Sequence, residues 1–95
     1  MMAGPDARLL TPDSRPQLWR LARLDYDPVR ERHVLLYPEG TVLLNDTGAA
    51  ILELCNGTRT VAQIMTILAE RYQTDVSGDV EDYLEQMAQR EFIRA

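Results

Sequence analysis

The sequence predicts an α+β fold, a winged-helix-like domain with a three-stranded antiparallel sheet followed by three helices (β-β-β-α-α-α). Three observations carry this prediction. Up to Asn45 the apolar residues come in short, β-branched or alternating runs. From Ala49-Ala50-Ile51 onward they recur at helical spacing. The connections between the early runs are too short for anything but antiparallel neighbours.

Residues 1–16 hold Gly4, Pro5, Pro12 and Pro16 among mixed polar residues. This is the composition of a flexible N-terminal tail, with Leu9-Leu10 able to dock on a surface. A single domain is expected over residues 17–95. Its first strand falls at about 20–26, where Leu21, Leu24 and Tyr26 alternate imperfectly with Arg20, Arg23 and Asp25. Asp27-Pro28 begins a polar connection that runs to Arg32. His33–Tyr37 forms the second strand, Pro38-Glu39-Gly40 a tight turn, and Thr41–Asn45 the third strand. A meander in the order 1-2-3 leaves strands one and three as edges.

Asn45 and Asp46 are N-cap types for a first helix running to Cys55, which Asn56-Gly57 ends. Thr60 and Gln63 have capping-box spacing and open the second helix. Val61, Ile64, Met65, Leu68 and Tyr72 make its apolar face. Ser77 is the expected N-cap of the third helix, which runs to about Arg90. Val80, Tyr83, Leu84 and Met87 lie on its apolar side. Phe92-Ile93 is expected to pack back on the core.

With 95 residues, 45% of them hydrophobic, the chain builds one modest core. One cysteine excludes an intramolecular disulfide, and no apolar run reaches membrane-span length. The N-terminus lacks the apolar region of a secretory signal, so a cytoplasmic location is expected.

Ten arginines and no lysine face fifteen acids, a net charge of −5. Residues 1–45 hold six arginines against six acids, and residues 46–95 hold four against nine. The helical half therefore repels polyanions. The segment Asp46–Tyr72 has helix-turn-helix dimensions, which raises an alternative function: a winged-helix regulatory module binding DNA or a transcription partner. The third helix argues against DNA, because Asp75, Asp79, Glu81, Asp82, Glu85 and Glu91 surround Arg90 alone.

No catalytic constellation is visible, and neither an enzymatic activity nor a cofactor is expected. His33 is the only histidine, so a metal site with three or four ligands is not expected. Cys55 falls on the apolar side of a helix, where a buried structural thiol is expected. Asp79, Glu81, Asp82 and Glu85 read as a solvated helix face that complements the dipole, or as a docking surface for a basic partner.

The third strand is the remaining feature. Thr41-Val42-Leu43-Leu44 is apolar, uncharged and free of proline, whereas natural edges are usually blunted. Two readings stay open. The tail or the third helix covers this edge, or the edge accepts an extended peptide as an added strand. In the second case Val42→Pro weakens binding, provided that the Val42 amide points to the open edge. The same edge, or exchange of the tail, would also support a homodimer.

The residues Arg20–Asp27, His33–Gly40, Leu43–Gly48, Ala50–Gly57 and Thr60–Ile64, with Tyr83-Leu84 and Phe92-Ile93, resemble the pyrroloquinoline quinone (PQQ) biosynthesis protein D family. The likeness covers residues 17–94. It implies a sheet of three strands followed by three helices and a non-enzymatic role as a peptide chaperone, a recognition element of pathways that modify ribosomally made peptides. It further implies a precursor peptide as partner, and a radical S-adenosylmethionine (SAM) enzyme that cross-links a Glu and a Tyr of that peptide. Carried onto this chain, the peptide lies along Thr41, Val42, Leu43, Leu44 and Asn45. Helix-three periodicity adds Tyr83, Leu84 and Met87 as an apolar wall, and Asp79 or Gln86 as polar contacts at its lip. The resemblance implies no nucleic acid or membrane partner.

Overall fold

The structure is a computed structural model and describes residues 8–95. Its elements are β1 (Gln17–Leu18), β2 (Arg23–Asp27), β3 (Arg32–Tyr37), β4 (Gly40–Leu44), α1 (Asp46–Glu53), α2 (Val61–Tyr72), α3 (Ser77–Gln89) and β5 (Ile93–Arg94). β2, β3 and β4 form the expected antiparallel meander, with β2 and β4 at its edges. The three helices follow in the expected order.

The meander has a two-residue turn at Pro38-Glu39, because Tyr37 pairs directly with Gly40. One face of the sheet carries Leu24, Leu35, Tyr37, Val42 and Leu44, all in or against the hydrophobic core. The helices cover this face. Leu35, Ile51, Leu52, Ile64, Leu68, Val80 and Leu84 are each almost wholly buried there. Leu35 is central, paired with Leu24 on one side and Val42 on the other. Leu35→Ala is expected to lower stability by about 2–5 kcal/mol, the range for truncating a core leucine. Chemical denaturation read by circular dichroism checks it.

The helix ends follow local chemistry. Asn45 caps α1, its Oδ1 accepting from the Gly48 amide at 2.7 Å. It is therefore the cap and not the last residue of a strand. α1 stops at Glu53, two residues short of the expected Cys55. Thr60 and Gln63 form the full reciprocal capping box of α2. Ser77 is not the N-cap of α3. It is the first helical residue, and Val76 holds the cap position without a side-chain bond. Asp75 takes over the acceptor role, with Oδ1 at 3.0 Å from the Ser77 amide and 2.7 Å from its hydroxyl. Those bonds hold the Asp75 carboxyl below its ordinary value.

Two features lay outside the sequence prediction. The first is a second sheet, in which β1 pairs antiparallel with β5. It forms because the chain reverses after α3. The Phe92 amide reaches back to the Met87 carbonyl at 2.9 Å, with Glu91 in the left-handed conformation at φ 65°. Phe92 and Ile93 are thereby buried, as expected of them.

The second is the placement of residues 8–16. Their composition is that of a tail, of which residues 1–7 lie outside the described residues. From Arg8 the chain runs along α3 and then onto the start of α2. The amides of Leu9 and Leu10 donate to the Glu85 carboxylate at 2.9 and 3.2 Å. Arg8 meets Asp82 at 3.3 Å. The carbonyls of Pro12 and Ser14 accept from Ala62 and Val61, two amides of the first turn of α2. Leu10 packs against the core.

Partial burial pushes the Glu85 carboxyl up, but the bonds from Leu9, Gln89 and Leu10, with Arg8 nearby, outweigh it and hold it below 4.5. A lowered folded pKa contributes stability that is present above the unfolded value and lost as pH falls through the folded one. The Leu9 and Leu10 amides are therefore expected to lose protection from exchange as pH falls into the acid range through that lowered value. Glu85→Gln should abolish the pH dependence. Leu9 and Leu10 amides unchanged between neutral and acid pH would contradict this account.

Candidate functional site

The site is built on β4. A two-residue turn makes Tyr37 and Gly40 a hydrogen-bonded pair, and such pairs alternate along an antiparallel ladder. Leu35 with Val42 and His33 with Leu44 are then bonded pairs, while Leu36 with Thr41 and Val34 with Leu43 are not. The backbone groups of Val42 and Leu44 face β3. Those of Thr41 and Leu43 face away from it. Among the described residues β4 pairs with β3 alone. Residues 8–16 are bonded to α2 and to the Asp82–Glu85 side of α3, and no backbone bond joins them to β4. Among the described residues no strand pairs with the outward backbone groups of Thr41 and Leu43, and the Val42 amide is not the donor this edge presents.

The predicted site residues separate by burial. Thr41 and Leu43 are exposed, Leu43 at 49%. Val42 and Leu44 point into the core face. The Asn45 side chain is occupied as a helix cap.

On α3, Asp79 and Gln86 are exposed and Tyr83 is half-buried. Leu84 at 0% and Met87 at 4% lie inside the core. Placing those two on a groove wall is therefore corrected: helical periodicity marks the buried stripe, and a wall residue must flank that stripe. The flanking stripe is Asp79, Tyr83, Gln86 and Arg90, at spacings that keep them on one side of the helix. Arg90 continues the same spacing beyond the residues expected from the sequence.

Tyr83 is fixed against the first turn of α1. Its hydroxyl oxygen and Cζ lie 2.7 and 2.9 Å from where a Cβ on Gly48 would sit. Only glycine leaves that space. Burial pushes the Tyr83 phenol up, with Arg90 opposing the shift.

No other centre of chemistry competes. Cys55 is buried and free, its thiol pushed up to about 12 by burial and donating to the Ile51 carbonyl at 3.4 Å. It is an inert core thiol. His33 stands edge-on to Tyr26 and 4.0 Å from Asp46. Among the described residues no group of three or more His, Cys, Asp or Glu side chains could hold a metal ion. No described helix is long and apolar enough to cross a membrane.

Fold and site define the class: a small α+β domain of three antiparallel strands and three helices, in which β4 pairs with β3 alone among the described residues. Residues 32–93 match the family described as coenzyme PQQ synthesis protein D (PqqD). A relative from Methylococcus capsulatus, named PqqA binding protein, is 41% identical over 88 residues, covering 90% of this chain and 92% of its own. One of the same name from Pseudomonas aeruginosa is 49% identical over 72 residues, covering 76% and 77%.

Two solved structures share the fold. The PqqD truncation of Methylobacterium extorquens PqqCD, a functional stand-alone recognition element for ribosomally synthesized and post-translationally modified peptides, superposes with a TM-score of 0.74. It is 37% identical, covering 90% of this chain and 95% of that one. PqqD from Xanthomonas campestris gives a TM-score of 0.56 at 31% identity, covering 90% and 99%. The chain belongs to the PqqD family.

Proposed function

We propose that this protein is a non-enzymatic chaperone of PQQ biosynthesis that binds the PqqA precursor peptide as a strand added to β4. The observation that carries the reading is the unpaired edge at Thr41 and Leu43, in a chain whose relatives are PqqA binding proteins. The peptide's backbone would exchange bonds with those two residues, at roughly 1 kcal/mol net each. Tyr83, Gln86 and Asp79 would flank it from α3. Family membership further supports presentation of the bound peptide to a radical SAM enzyme, in the cytoplasm, by a winged-helix-like domain over residues 17–95. A homodimer through the same edge would compete with the peptide. No observation favours the DNA-binding alternative.

The test is an amide NMR titration with synthetic precursor peptide. Residues 41–45 and the Asp79–Arg90 side of α3 are expected to shift. Shifts confined to the turn between α1 and α2 would refute the placement. Sedimentation with and without peptide distinguishes a competing dimer.

A further inference from the structure

We propose that the cleft beside the Gly40 end of β4 is a second recognition subsite, which takes a carboxylate of the bound peptide. This rests on the strand-addition reading above.

The cleft is assembled by the second sheet. The Trp19 amide donates to the Phe92 carbonyl at 2.7 Å, and Gln17 pairs with Arg94. Two adjoining hollows result, of about 370 and 310 Å³, which share Trp19 and Arg94. Their aromatic lining is Trp19, Phe92 and Tyr37. The Tyr37 ring meets Phe92 edge-on at 5.0 Å, and its hydroxyl oxygen lies 3.9 Å from where a Gly40 Cβ would be. The cleft therefore adjoins the start of β4. An extended chain leaving Thr41 in that direction reaches it within a few residues at about 3.3 Å per residue.

Its charge runs against that of the protein. Arg20, Arg90 and Arg94 line it together with Glu39 and Glu91, three cations to two anions in a chain of net charge −5. Among the described residues none of the three arginines has a carboxylate within ion-pair distance, and none of their guanidinium groups makes a hydrogen bond. Arg90 is nevertheless placed, its guanidinium 4.9 Å over the Phe92 ring. Guanidinium groups held near aromatic faces, with their donors unused, match a carboxylate bidentately. Arg90 also ends the α3 stripe that contains Tyr83 and Gln86, and Glu39 brings the cleft to the residue before β4.

The experiment is a double-mutant cycle on the full chain. Affinity is measured for the synthetic precursor peptide and for versions with each acidic side chain changed in turn to its amide or the C-terminus amidated. Both unmodified protein and the double variant Arg90→Gln/Arg94→Gln are used. The double variant is expected to bind the unmodified peptide roughly three- to tenfold more weakly. One amidated peptide should show the same loss, and the two losses should not multiply. The coupling should fade at high salt. Amide shifts at residues 41–45 are followed throughout.

If those shifts occur but no carboxylate couples to the arginines, the subsite is overturned and strand addition stands. If the shifts never occur with unmodified protein, both fall. If the variant keeps its peptide affinity and loses affinity for the radical SAM enzyme, the cleft belongs to that enzyme and the assignment is overturned. A variant with an altered unfolding midpoint is replaced by Arg94→Gln alone, read in the same cycle.

Discussion

Leu43→Pro is expected to leave the domain folded and to weaken precursor-peptide binding at least about tenfold, a loss of about 1.4 kcal/mol or more. The pairing register is the reason. The Leu43 amide faces away from β3, so a proline there removes no bond of the existing ladder. Val42 before it is already extended, the conformation that a following proline demands. The lost side chain is half exposed and lies outside the core cluster, opposite Val34 across the strands. An added strand would lose one donor, worth about 1 kcal/mol, and would meet the proline ring where its own carbonyl should sit.

Val42→Pro is the contrasting control. It removes a donor directed at β3 and is expected to cost about 3 kcal/mol of stability. Calorimetric titration and thermal unfolding of both variants check the pair. Full peptide affinity in a folded Leu43→Pro protein would mean that the peptide does not add to this edge.

The contrast also marks where sequence reading ended. The edge without charge or proline left the openness of β4 undecided, whereas the strands and their order followed from local pattern, short connections and alternation. The facing of each amide did not, because it depends on how many residues close the turn at Pro38-Glu39. Boundaries also moved where a side chain competed with the backbone. Asn45 left the strand to cap α1, and Asp75 displaced Ser77 as the acceptor before α3.

The β1–β5 sheet was invisible for a different reason. Two-residue strands have no period to detect, and their partners lie at opposite ends of the chain. The same blindness hid the placement of Arg8–Pro16, whose proline-rich composition is that of a tail while its amides and carbonyls find partners on Glu85, Val61 and Ala62. In the site, periodicity located α3 correctly and mis-sorted its faces. Leu84 and Met87 belong to the core, while Tyr83 is half-buried and Arg90 exposed beside them.

Gly48→Ala tests the placement of Tyr83, and its outcome turns on two opposed effects. Gly48 is helical, so alanine alone would stabilise α1 by up to about 1 kcal/mol. Against this, the new methyl would lie 2.7 Å from the Tyr83 hydroxyl oxygen, 2.9 Å from its Cζ and 3.1 Å from the capping oxygen of Asn45. Overpacking of this kind typically costs about 1–3 kcal/mol. The clash strikes a ring atom and a cap, not merely the end of a flexible chain, so net destabilisation is expected.

The ring must also move off α1, which disturbs the α3 side chain proposed to flank the peptide. Peptide affinity is expected to fall about fivefold or more, the scale of losing one aromatic contact of about 1 kcal/mol. A Tyr83→Leu background removes the obstacle. There Gly48→Ala should become neutral or stabilising, and the difference between backgrounds measures the contact. Equal stability changes in both backgrounds would show that Tyr83 does not rest on Gly48, and the rim of the groove would have to be redrawn without it.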